Sequence, residues 1–336
     1  MDEAPFVNEV ERWAKKNGGF RRHRFFRTSG SSGREKWVAL SDEALEWSAR
    51  SVIGALGIVS KDVLGLALPV IHVGGYGMIL RAQISGASLV KLEARWNAGG
   101  FADWCDVNRV TITSLVPTQV YDLVSARLEC PTSMRTLVVG GGPLDAELTR
   151  KARDLGWPVV PSYGMTETSS QVATGDGLPL LQGWEARIVE GRLALKGDGL
   201  LSAIILRKGD GFVAEDPKID GWYVTSDRCE LVGTGLRVFG RADRLVKILG
   251  KLVNLEELEE FWRGKLEREV ALVARPNERR GVSLFLFYEG IEVDLARWNA
   301  SLPGPERLAE AIAIDLLPRS VLGKIDRLAL TDFNKD

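Results

Sequence analysis

The sequence predicts an α/β protein with a parallel sheet, a β-rich part after it, and a small α+β domain at the C-terminal end. Three regions of the 336-residue chain differ in pattern. From about residue 24 to 163, short apolar runs alternate with longer amphipathic stretches, which is typical of a parallel α/β sheet. Between about residues 183 and 240 the runs are short and separated by glycine, which indicates antiparallel strands. After Gly240–Arg244, helical and strand patterns alternate again over about 90 residues.

Five apolar runs in the first region are the predicted parallel strands. Each is too apolar to leave either face of a sheet in water, so we expect all five to be buried. They are Leu64–Val70, Ala87–Leu92, Val110–Pro117, Met134–Gly140 and Trp157–Gly164.

Capping residues indicate where the helices begin and end. Ser41 is a predicted N-cap, with two acidic residues after it and Gly57 beyond the helix end. Pro117 and Pro143 each suit the first position of a helix. Asn254, with a glutamate three residues later, opens a charged helix.

The C-terminal part has two strand patterns and one further helical pattern. The strands are expected at Val270–Pro276 and Val282–Gly290, and a last helix is expected to end near Leu316–Ser320.

Composition and charge exclude several classes of function. Lysine and arginine number 44 and aspartate and glutamate 45, a net charge of -1, so we expect no nucleic acid partner and no membrane insertion. No apolar stretch approaches the roughly 20 residues of a spanning helix, and the acidic first residues do not resemble a signal peptide. Cys105, Cys130 and Cys229 are widely spaced, which fits neither a disulfide framework nor a zinc site. We therefore expect a cytoplasmic protein that binds small molecules.

Two glycine-rich segments follow predicted strands. Arg27–Lys36, RTSGSSGREK, has free backbone N–H groups and a lysine that suit phosphate oxygens, although a flexible surface turn has the same composition. Gly140–Asp145, GGGPLD, ends an apolar strand where a flat ring could approach the backbone. The alternative for the second segment is a tight turn from strand to helix.

Three further motifs each have a functional and a structural interpretation. In Ser162–Gln171, a threonine and a glutamate suit a phosphate and Mg²⁺, and the alternative is a polar helix cap. In Tyr223–Asp227, a carboxylate with the arginines of Gly240–Arg244 suits ribose hydroxyls, and the alternative is an edge hairpin with a surface ion pair. In Leu317–Arg327, the lysine is by itself a solvated charge.

The order of these motifs resembles one superfamily. TSGSSGREK, HVGG, GGGPL, YGMTET, YVTSD, GRADRLVKILG and PRSVLGKIDR occur in the order and approximate spacing of the acyl-CoA synthetase and adenylation-domain superfamily, from Arg27 to Arg327. The resemblance implies an adenylate-forming enzyme fold: a large AMP-binding domain over residues 1–242, shortened at its N-terminus, and a small mobile α+β lid over residues 243–336. It further implies that a carboxylic acid and ATP form an acyl-adenylate and pyrophosphate, with Mg²⁺, before a thiol such as CoA attacks.

The same resemblance assigns a role to each motif residue. The phosphate loop comprises Thr28, Ser29, Gly30, Ser31, Ser32, Gly33 and Lys36. The adenine site comprises Gly140, Gly141, Gly142, Pro143 and Tyr163, and the ribose site comprises Asp227 and Arg241. Thr166 would contact the α-phosphate, Glu167 would bind Mg²⁺, and Lys324 would bridge the attacking carboxylate and the α-phosphate. Asp243 resembles the hinge between the two domains.

Within this superfamily the chain most resembles the o-succinylbenzoate:CoA ligases of menaquinone biosynthesis. The resemblance rests on Leu68–Val90 together with YGMTETSSQ, and it places His72, Gly74 and Gly75 at the acid substrate. In that resemblance Arg81, nine residues after His72, corresponds to an arginine that pairs with the second carboxylate of the substrate. A helix places Arg81 one turn from Gly77 on the same face, so it could point at the floor of the pocket. The alternative is an arginine that caps or extends from a packed helix.

The chain departs from the usual pattern in three places. The phosphate loop begins at Thr28, where most relatives have a far longer preceding segment; Glu35 replaces a proline, and Ser226 replaces the glycine of TGD. Two other functions stay open: a ligase for another aryl or short acyl acid, and a nucleotide-binding protein that has lost catalysis. The sequence also leaves open whether the chain forms a homo-oligomer.

Overall fold

The computed structural model describes residues 4–16, 19–29, 35–209, 211–249, 251–277, 279–290, 294–300, 302–319, 325–331 and 333. The chain divides into two compact units. The first unit comprises Met1–Thr225 with Cys229–Val238, and the second comprises Ser226–Arg228 with Phe239–Asp336.

The helices and strands are numbered here in chain order. The α-helices are α1 (Ala4–Lys16), α2 (Asp42–Leu56), α3 (Val73–Ser85), α4 (Ala98–Val107), α5 (Pro117–Ser125), α6 (Ala146–Asp154), α7 (Leu255–Leu266), α8 (Leu295–Asn299) and α9 (Arg327–Thr331). The strands are β1 (His23–Ser29), β2 (Glu35–Ser41), β3 (Val63–Leu66), β4 (Ser88–Lys91), β5 (Ile112–Leu115), β6 (Thr136–Val139), β7 (Val159–Met165), β8 (Ser170–Thr174), β9 (Glu185–Val189), β10 (Arg192–Lys196), β11 (Ala203–Lys208), β12 (Gly211–Glu215), β13 (Tyr223–Val232), β14 (Gly235–Arg241), β15 (Leu245–Ile248), β16 (Lys251–Asn254), β17 (Val270–Asn277), β18 (Gly281–Glu289) and β19 (Leu308–Ile314). Short 3-10 turns lie at Thr166–Thr168, Ala242–Arg244 and Gly304–Glu306.

The first unit contains the predicted parallel sheet. Its strand order is β4-β3-β5-β6-β7-β8, and the pairs from β4 to β7 are parallel, whereas β8 is antiparallel to β7. All five predicted strands are present, and β5 and β6 are buried along their whole length. The expectation of burial is wrong for β4, which is an edge strand with mostly exposed residues. Its single neighbour leaves one side of it open to solvent.

The predicted helix boundaries are confirmed at three sites. Ser41 Oγ accepts a hydrogen bond from Ala44 N–H, and Gly57 ends α2 with a left-handed φ of 57°. Pro117 is the first residue of α5, and Asn254 caps α7. The prediction for Pro143 is wrong, because Asp145 caps α6 by accepting from Leu148 N–H.

Two sheets contain the strands of the predicted β-rich part. One has the order β14-β13-β10-β9, in which β9 and β10 are antiparallel, and the other has the order β1-β2-β11-β12, in which every pair is antiparallel. The second sheet therefore joins the strands on either side of the phosphate loop to two strands that come much later in the chain. Helix α1 packs against it through a cluster that includes Val10, Ala14, Trp37 and Ile205.

The second unit has its own sheet and core. Strands β17, β18 and β19 form its sheet, with β17 and β18 antiparallel and β18 and β19 parallel. Trp262 of α7 is fully buried against this sheet. The expected last helix near Leu316–Ser320 is wrong, since residues 308–314 form β19 instead. Pairing with β18 overrides the helix preference of the three alanines and of Leu308 there.

No helix in the described part of the chain is both long enough and apolar enough to cross a membrane.

Candidate active site

The carboxyl-terminal edge of the parallel sheet brings two predicted motifs together. Gly140 follows β6, and a Cβ atom at this position would lie only 3.0 Å from the Ser162 carbonyl oxygen of β7. Gly142 packs against Pro117, the first residue of α5, which follows the neighbouring strand β5. The Gly140–Pro143 turn therefore lies beside the strand that carries Tyr163. Ligands of parallel sheets bind at this edge.

A β-hairpin closes the ends of the phosphate loop. Thr28 of β1 lies opposite Lys36 of β2, and Ser29 lies opposite Glu35. The predicted loop residues Gly30, Ser31, Ser32 and Gly33 lie outside the described residues. The Thr28 hydroxyl is buried and has no hydrogen-bond partner among the described groups. An unsatisfied buried hydroxyl is rare, so this group suits a ligand oxygen.

Lys36 and Glu167 form an ion pair. Lys36 Nζ lies 3.2 Å from Glu167 Oε1, although the two residues are 131 positions apart in sequence. The Glu167 residue is only 8% exposed. The ammonium group of Lys36 contacts this carboxylate. Mg²⁺ is typically held by one or two carboxylates together with substrate phosphates. The described residues contain no cluster of three or more His, Cys, Asp or Glu that could hold a metal ion.

A strained turn holds Thr166 and Glu167 in place. The turn Thr166–Thr168 is followed by Ser169 at φ 54° and Ser170 at φ 110°, values that side-chain-bearing residues rarely adopt. Leu201 N–H donates to the Glu167 carbonyl at 2.9 Å. A Cβ atom at Gly164 would overlap the Ser170 carbonyl oxygen, so glycine is required there.

Arg81 is buried on α3 without a carboxylate partner among the described residues. The residue is 1% exposed, and Gly77 leaves space for its guanidinium one turn earlier, as the sequence predicted. Its Nη2 donates to Ser170 Oγ at 3.3 Å, its Nη1 contacts Met78 Sδ at 3.5 Å, and its Nε has no partner in the described part. Burial lowers the pKa of Arg81 to about 10. A buried charge of this kind requires an anion for full compensation.

The predicted acid-site glycines lie at the start of the same helix. His72 is the N-cap residue of α3, and Gly74 and Gly75 form its first turn. A Cβ atom at Gly75 would overlap the Pro69 carbonyl oxygen, so a close backbone approach requires this glycine. The hydrogen bond from Arg81 to Ser170 thus connects α3 to the segment that follows the turn of Glu167.

Sequence reasoning missed the two side chains that contact the Arg81 guanidinium. Met78 lies three residues before Arg81 on the same helix face, which is a detectable signal. Ser170 belongs to the quoted YGMTETSSQ motif, but its direction depends on the positive φ angle of its backbone. The sequence alone gives no sign of that angle.

The remaining predicted residues belong to the second unit. Arg241 N–H donates to Glu256 Oε2 at 2.9 Å, and burial raises the pKa of Glu256, with Asp227 and Glu259 adding to the rise. Asp243 lies in the 3-10 turn Ala242–Arg244. Lys324 lies outside the described residues.

Three features define a nucleotide-binding α/β enzyme. They are the glycine turns at the edge of a parallel sheet, the hairpin that closes a Ser/Gly loop, and the lysine–glutamate pair. The chain belongs to the AMP-binding enzyme family, whose model matches residues 25–193. This confirms the superfamily expected from the order of the motifs.

The chain is similar to ligases of known name and structure. A 2-succinylbenzoate–CoA ligase of Listeria monocytogenes is 27% identical over 327 residues, which cover 91% of this chain and 68% of that protein. The ligase of the same name from Bacillus pumilus is 31% identical over 221 residues, 60% of this chain and 44% of that protein. The chain therefore spans less than half of the length of one relative and about two thirds of the other.

Structural comparison supports the same family. The o-succinylbenzoate CoA synthetase of Bacillus subtilis, solved with its acyl-adenylate intermediate, superposes with a TM-score of 0.80 and 25% identity. The match covers 93% of this chain and 69% of that one. The expected adenylate-forming fold is confirmed.

Proposed function

We propose that the protein is an AMP-forming acid:CoA ligase that converts o-succinylbenzoate and CoA to o-succinylbenzoyl-CoA. ATP is the second substrate, and pyrophosphate and AMP are released. The names of the similar proteins support the substrate, and the family match supports the use of a nucleotide.

The buried guanidinium of Arg81 is the observation that carries this proposal. It has no carboxylate partner among the described residues, and it contacts Ser170, three residues after Glu167. A dicarboxylic acid could place one carboxylate on Arg81 and the other near the phosphates. A monocarboxylic acid would leave the buried charge of Arg81 uncompensated. The site therefore favours an acid with two carboxylates.

The first half-reaction joins the acid to AMP. A carboxylate oxygen attacks the α-phosphorus of ATP, the bond from this phosphorus to the β-phosphate bridging oxygen breaks, and pyrophosphate leaves. Lys36, Thr28 and the loop after it hold the departing phosphates, Thr166 contacts the α-phosphate, and Lys324 neutralises charge between the α-phosphate and the carboxylate. Mg²⁺ bound by Glu167 would offset phosphate charge. Gly140–Pro143 and Tyr163 hold adenine, and Asp227 and Arg241 hold ribose.

The second half-reaction moves the acyl group to CoA. The thiol sulfur attacks the acyl carbon, AMP leaves with the bonding electrons, and the thiol proton passes to solvent. Lys324 cannot occupy the thiol path during this step, so residues 243–336 act as a mobile lid that turns about Asp243 on the large domain, residues 1–242. We place this chemistry in the cytoplasm, where ATP and CoA are available.

The test is pyrophosphate release from the purified protein with ATP, Mg²⁺ and a panel of acids. The panel contains o-succinylbenzoate, benzoate, indoleacetate and acetate. We expect release with o-succinylbenzoate far above the other acids, and acyl-CoA formation when CoA is added. Preference for a monocarboxylic acid would favour another aryl or acyl acid ligase, and no release with any acid would contradict the enzyme function.

A further inference from the structure

A serine lies on the buried face of α2, where the other buried residues are apolar. Ser48 is 1% exposed. The remaining buried residues of this helix are Ala44, Leu45, Ala49 and Val52. Burying a hydroxyl group costs free energy unless the group forms a hydrogen bond. The partner of the Ser48 hydroxyl therefore indicates what a serine does on this face.

The Ser48 hydroxyl bonds to a distant part of the chain. A serine within a helix can donate to the carbonyl four residues earlier in the same helix. Ser48 Oγ instead donates to the Ser169 carbonyl oxygen at 2.9 Å, across 121 positions of sequence. Ser169 lies between the turn Thr166–Thr168 and the start of β8. This hydrogen bond therefore joins α2 to the segment that follows Glu167.

The backbone that Ser48 holds has unusual angles. Ser169 has a φ of 54° and Ser170 a φ of 110°, and residues other than glycine keep such angles only where surrounding contacts hold them. Two of these contacts come from the turn itself. Ser169 N–H donates to the Thr166 carbonyl at 3.2 Å, and Thr168 Oγ1 donates to the Ser170 carbonyl at 3.0 Å. Ser48 adds a contact to the Ser169 carbonyl from a different element.

The Ser169 carbonyl influences the direction of the next side chain. This carbonyl and the Ser170 N–H belong to one planar peptide group. A hydrogen bond to the carbonyl therefore restricts the rotation of the whole peptide group. The Ser170 side chain begins at the Cα atom next to this group, so its direction depends on the orientation of the peptide and on the φ angle of Ser170. Ser48 thus helps to fix the place of Ser170 Oγ.

Ser170 Oγ in turn contacts the guanidinium that the proposed function assigns to the acid substrate. It lies 3.3 Å from Arg81 Nη2 and is the one oxygen acceptor of this guanidinium among the described residues. The other described contact of the guanidinium is Met78 Sδ, a weak acceptor. A misplacement of about 1 Å at a binding group can lower a rate by about a hundredfold. The place of Ser170 therefore matters for the place of the guanidinium.

We propose that Ser48 is a positioning residue of the acid site, which holds Ser170, and through it the guanidinium of Arg81, in the place that selects an acid with a second carboxylate. The inference rests on the proposed ligase function, in which Arg81 binds that carboxylate. Ser48 contacts no substrate in this arrangement. It should therefore affect the choice between acids and have little effect on ATP.

The experiment compares Ser48→Ala with the wild type. The measured quantity is the ratio of kcat/KM for o-succinylbenzoate to kcat/KM for a benzoate analogue with one carboxylate. This preference for the diacid should fall about three- to tenfold in Ser48→Ala, which is the factor that one hydrogen bond typically contributes. The KM for ATP should stay within twofold. Both acids are measured on the same folded protein, so a general loss of stability cancels from the ratio.

Ser51→Ala is the matched control on the same helix. Ser51 Oγ donates to the Gln182 carbonyl at 3.1 Å, so this variant removes the same kind of hydrogen bond to a segment outside the predicted motifs. We expect the preference for the diacid to be unchanged in Ser51→Ala. An equal fall in Ser51→Ala and Ser48→Ala would overturn the proposal, because the effect would then be a general one of α2.

A double variant tests whether Ser48 acts through the guanidinium. Ser48→Ala added to Arg81→Ala should cause no further loss of preference, because the group that Ser48 positions is already absent. A further threefold loss in the double variant would overturn the proposal, as would an unchanged preference in Ser48→Ala alone. A wild type that uses neither acid, or that prefers the acid with one carboxylate, would contradict the ligase function and this inference together.

Discussion

Lys36 Nζ lies 3.2 Å from Glu167 Oε1, although the two residues belong to motifs far apart in the sequence. The two side chains that the motifs assign to phosphate and to Mg²⁺ are therefore neighbours in the fold. The ammonium group compensates the charge of a carboxylate that is only 8% exposed. When ATP and Mg²⁺ bind, Lys36 would contact the phosphates and Glu167 would contact Mg²⁺.

The first prediction concerns the Mg²⁺ requirement. Glu167→Gln should raise the Mg²⁺ concentration for half-maximal pyrophosphate exchange about tenfold or more, because a hydrogen bond or contact to a charged group contributes about 1.5 to 3 kcal/mol. The measurement is a Mg²⁺ titration at saturating ATP. The exposed Glu185 of β9 provides the control, since Glu185→Gln should leave the midpoint unchanged. An unchanged midpoint in Glu167→Gln would remove Glu167 from the metal site.

The second prediction concerns Lys324. Lys324→Ala should abolish acyl-adenylate formation and leave CoA attack on supplied acyl-adenylate largely intact, because the lysine charge is needed only while pyrophosphate leaves. Both half-reactions are measured separately, with Lys265→Ala as a control at another lysine of the second unit. Similar losses in the two half-reactions would contradict this role for Lys324.

The third prediction concerns the proposed hinge at Asp243. Asp243→Pro locks the φ angle of this residue through the proline ring and restricts Ala242, so it should hold the Ala242–Arg244 turn in one pose. By resemblance this is the adenylating pose, so pyrophosphate exchange should persist while acyl-CoA formation falls by orders of magnitude. Asp243→Ala, which leaves the backbone free, should retain both steps. Parallel loss of both steps in folded Asp243→Pro protein would place the hinge elsewhere.

The fourth prediction concerns an ion pair with a buried carboxylate at the parallel sheet. Arg135 donates to both carboxylate oxygens of Asp62, at 2.9 and 2.8 Å, and to the Leu56 and Gly57 carbonyls at the end of α2. The Arg135 hydrogen bonds lower the pKa of Asp62 from 3.8 to about 2. Because the folded pKa is the lower one, the pair stabilises the fold above the ordinary aspartate pKa of 3.8, and this contribution is lost as pH falls from there to about 2.

Urea unfolding of Asp62→Asn against the wild type tests this pair. We expect a free energy of unfolding lower by about 1 to 2 kcal/mol at neutral pH, since solvent around the partly exposed Arg135 weakens the pair. The difference should shrink as the solution is acidified. Glu147→Gln, at an exposed ion pair with Arg150, should show a much smaller effect. A difference for Asp62→Asn that does not change with pH would show that the pair does not titrate as described.

Most of the parallel sheet could be predicted from the sequence because its strands are short, apolar and separated by clear helix caps. The exposure of β4 could not, because its place at the sheet edge depends on strand order. Strand β19 was also missed, since its three alanines and Leu308 favour a helix and only pairing with β18 decides otherwise. The prediction that Pro143 begins a helix is wrong because Asp145, two residues later, is the stronger cap.

The candidate site could be predicted where motif residues themselves carry the chemistry. Lys36, Glu167 and Arg81 are identified by the resemblance, and Gly77 gives the helix face of Arg81. The Lys36–Glu167 pair itself could not be predicted, because it joins β2 to the turn Thr166–Thr168, and the two residues are 131 positions apart in sequence. The role of Ser170 depends on a positive φ angle that no local pattern encodes.

The final prediction concerns the selectivity for a diacid. Arg81→Ala should lower kcat/KM for o-succinylbenzoate about ten- to a hundredfold and leave a benzoate analogue with one carboxylate nearly unaffected, because a charge-assisted contact contributes about 1.5 to 3 kcal/mol. Gly77→Ala tests the same claim without removing the arginine. Its new methyl group would lie 3.1 Å from Arg81 Nη2 and should displace the guanidinium.

The ratio of kcat/KM for the two acids, measured in the wild type and in Arg81→Ala, is the most direct test of the proposed substrate. Both acids are measured on the same folded protein, so any general loss of stability cancels from the ratio. We predict that the preference for o-succinylbenzoate falls at least tenfold in Arg81→Ala. An unchanged ratio, with equal losses for both acids, would contradict the claim that Arg81 binds the second carboxylate.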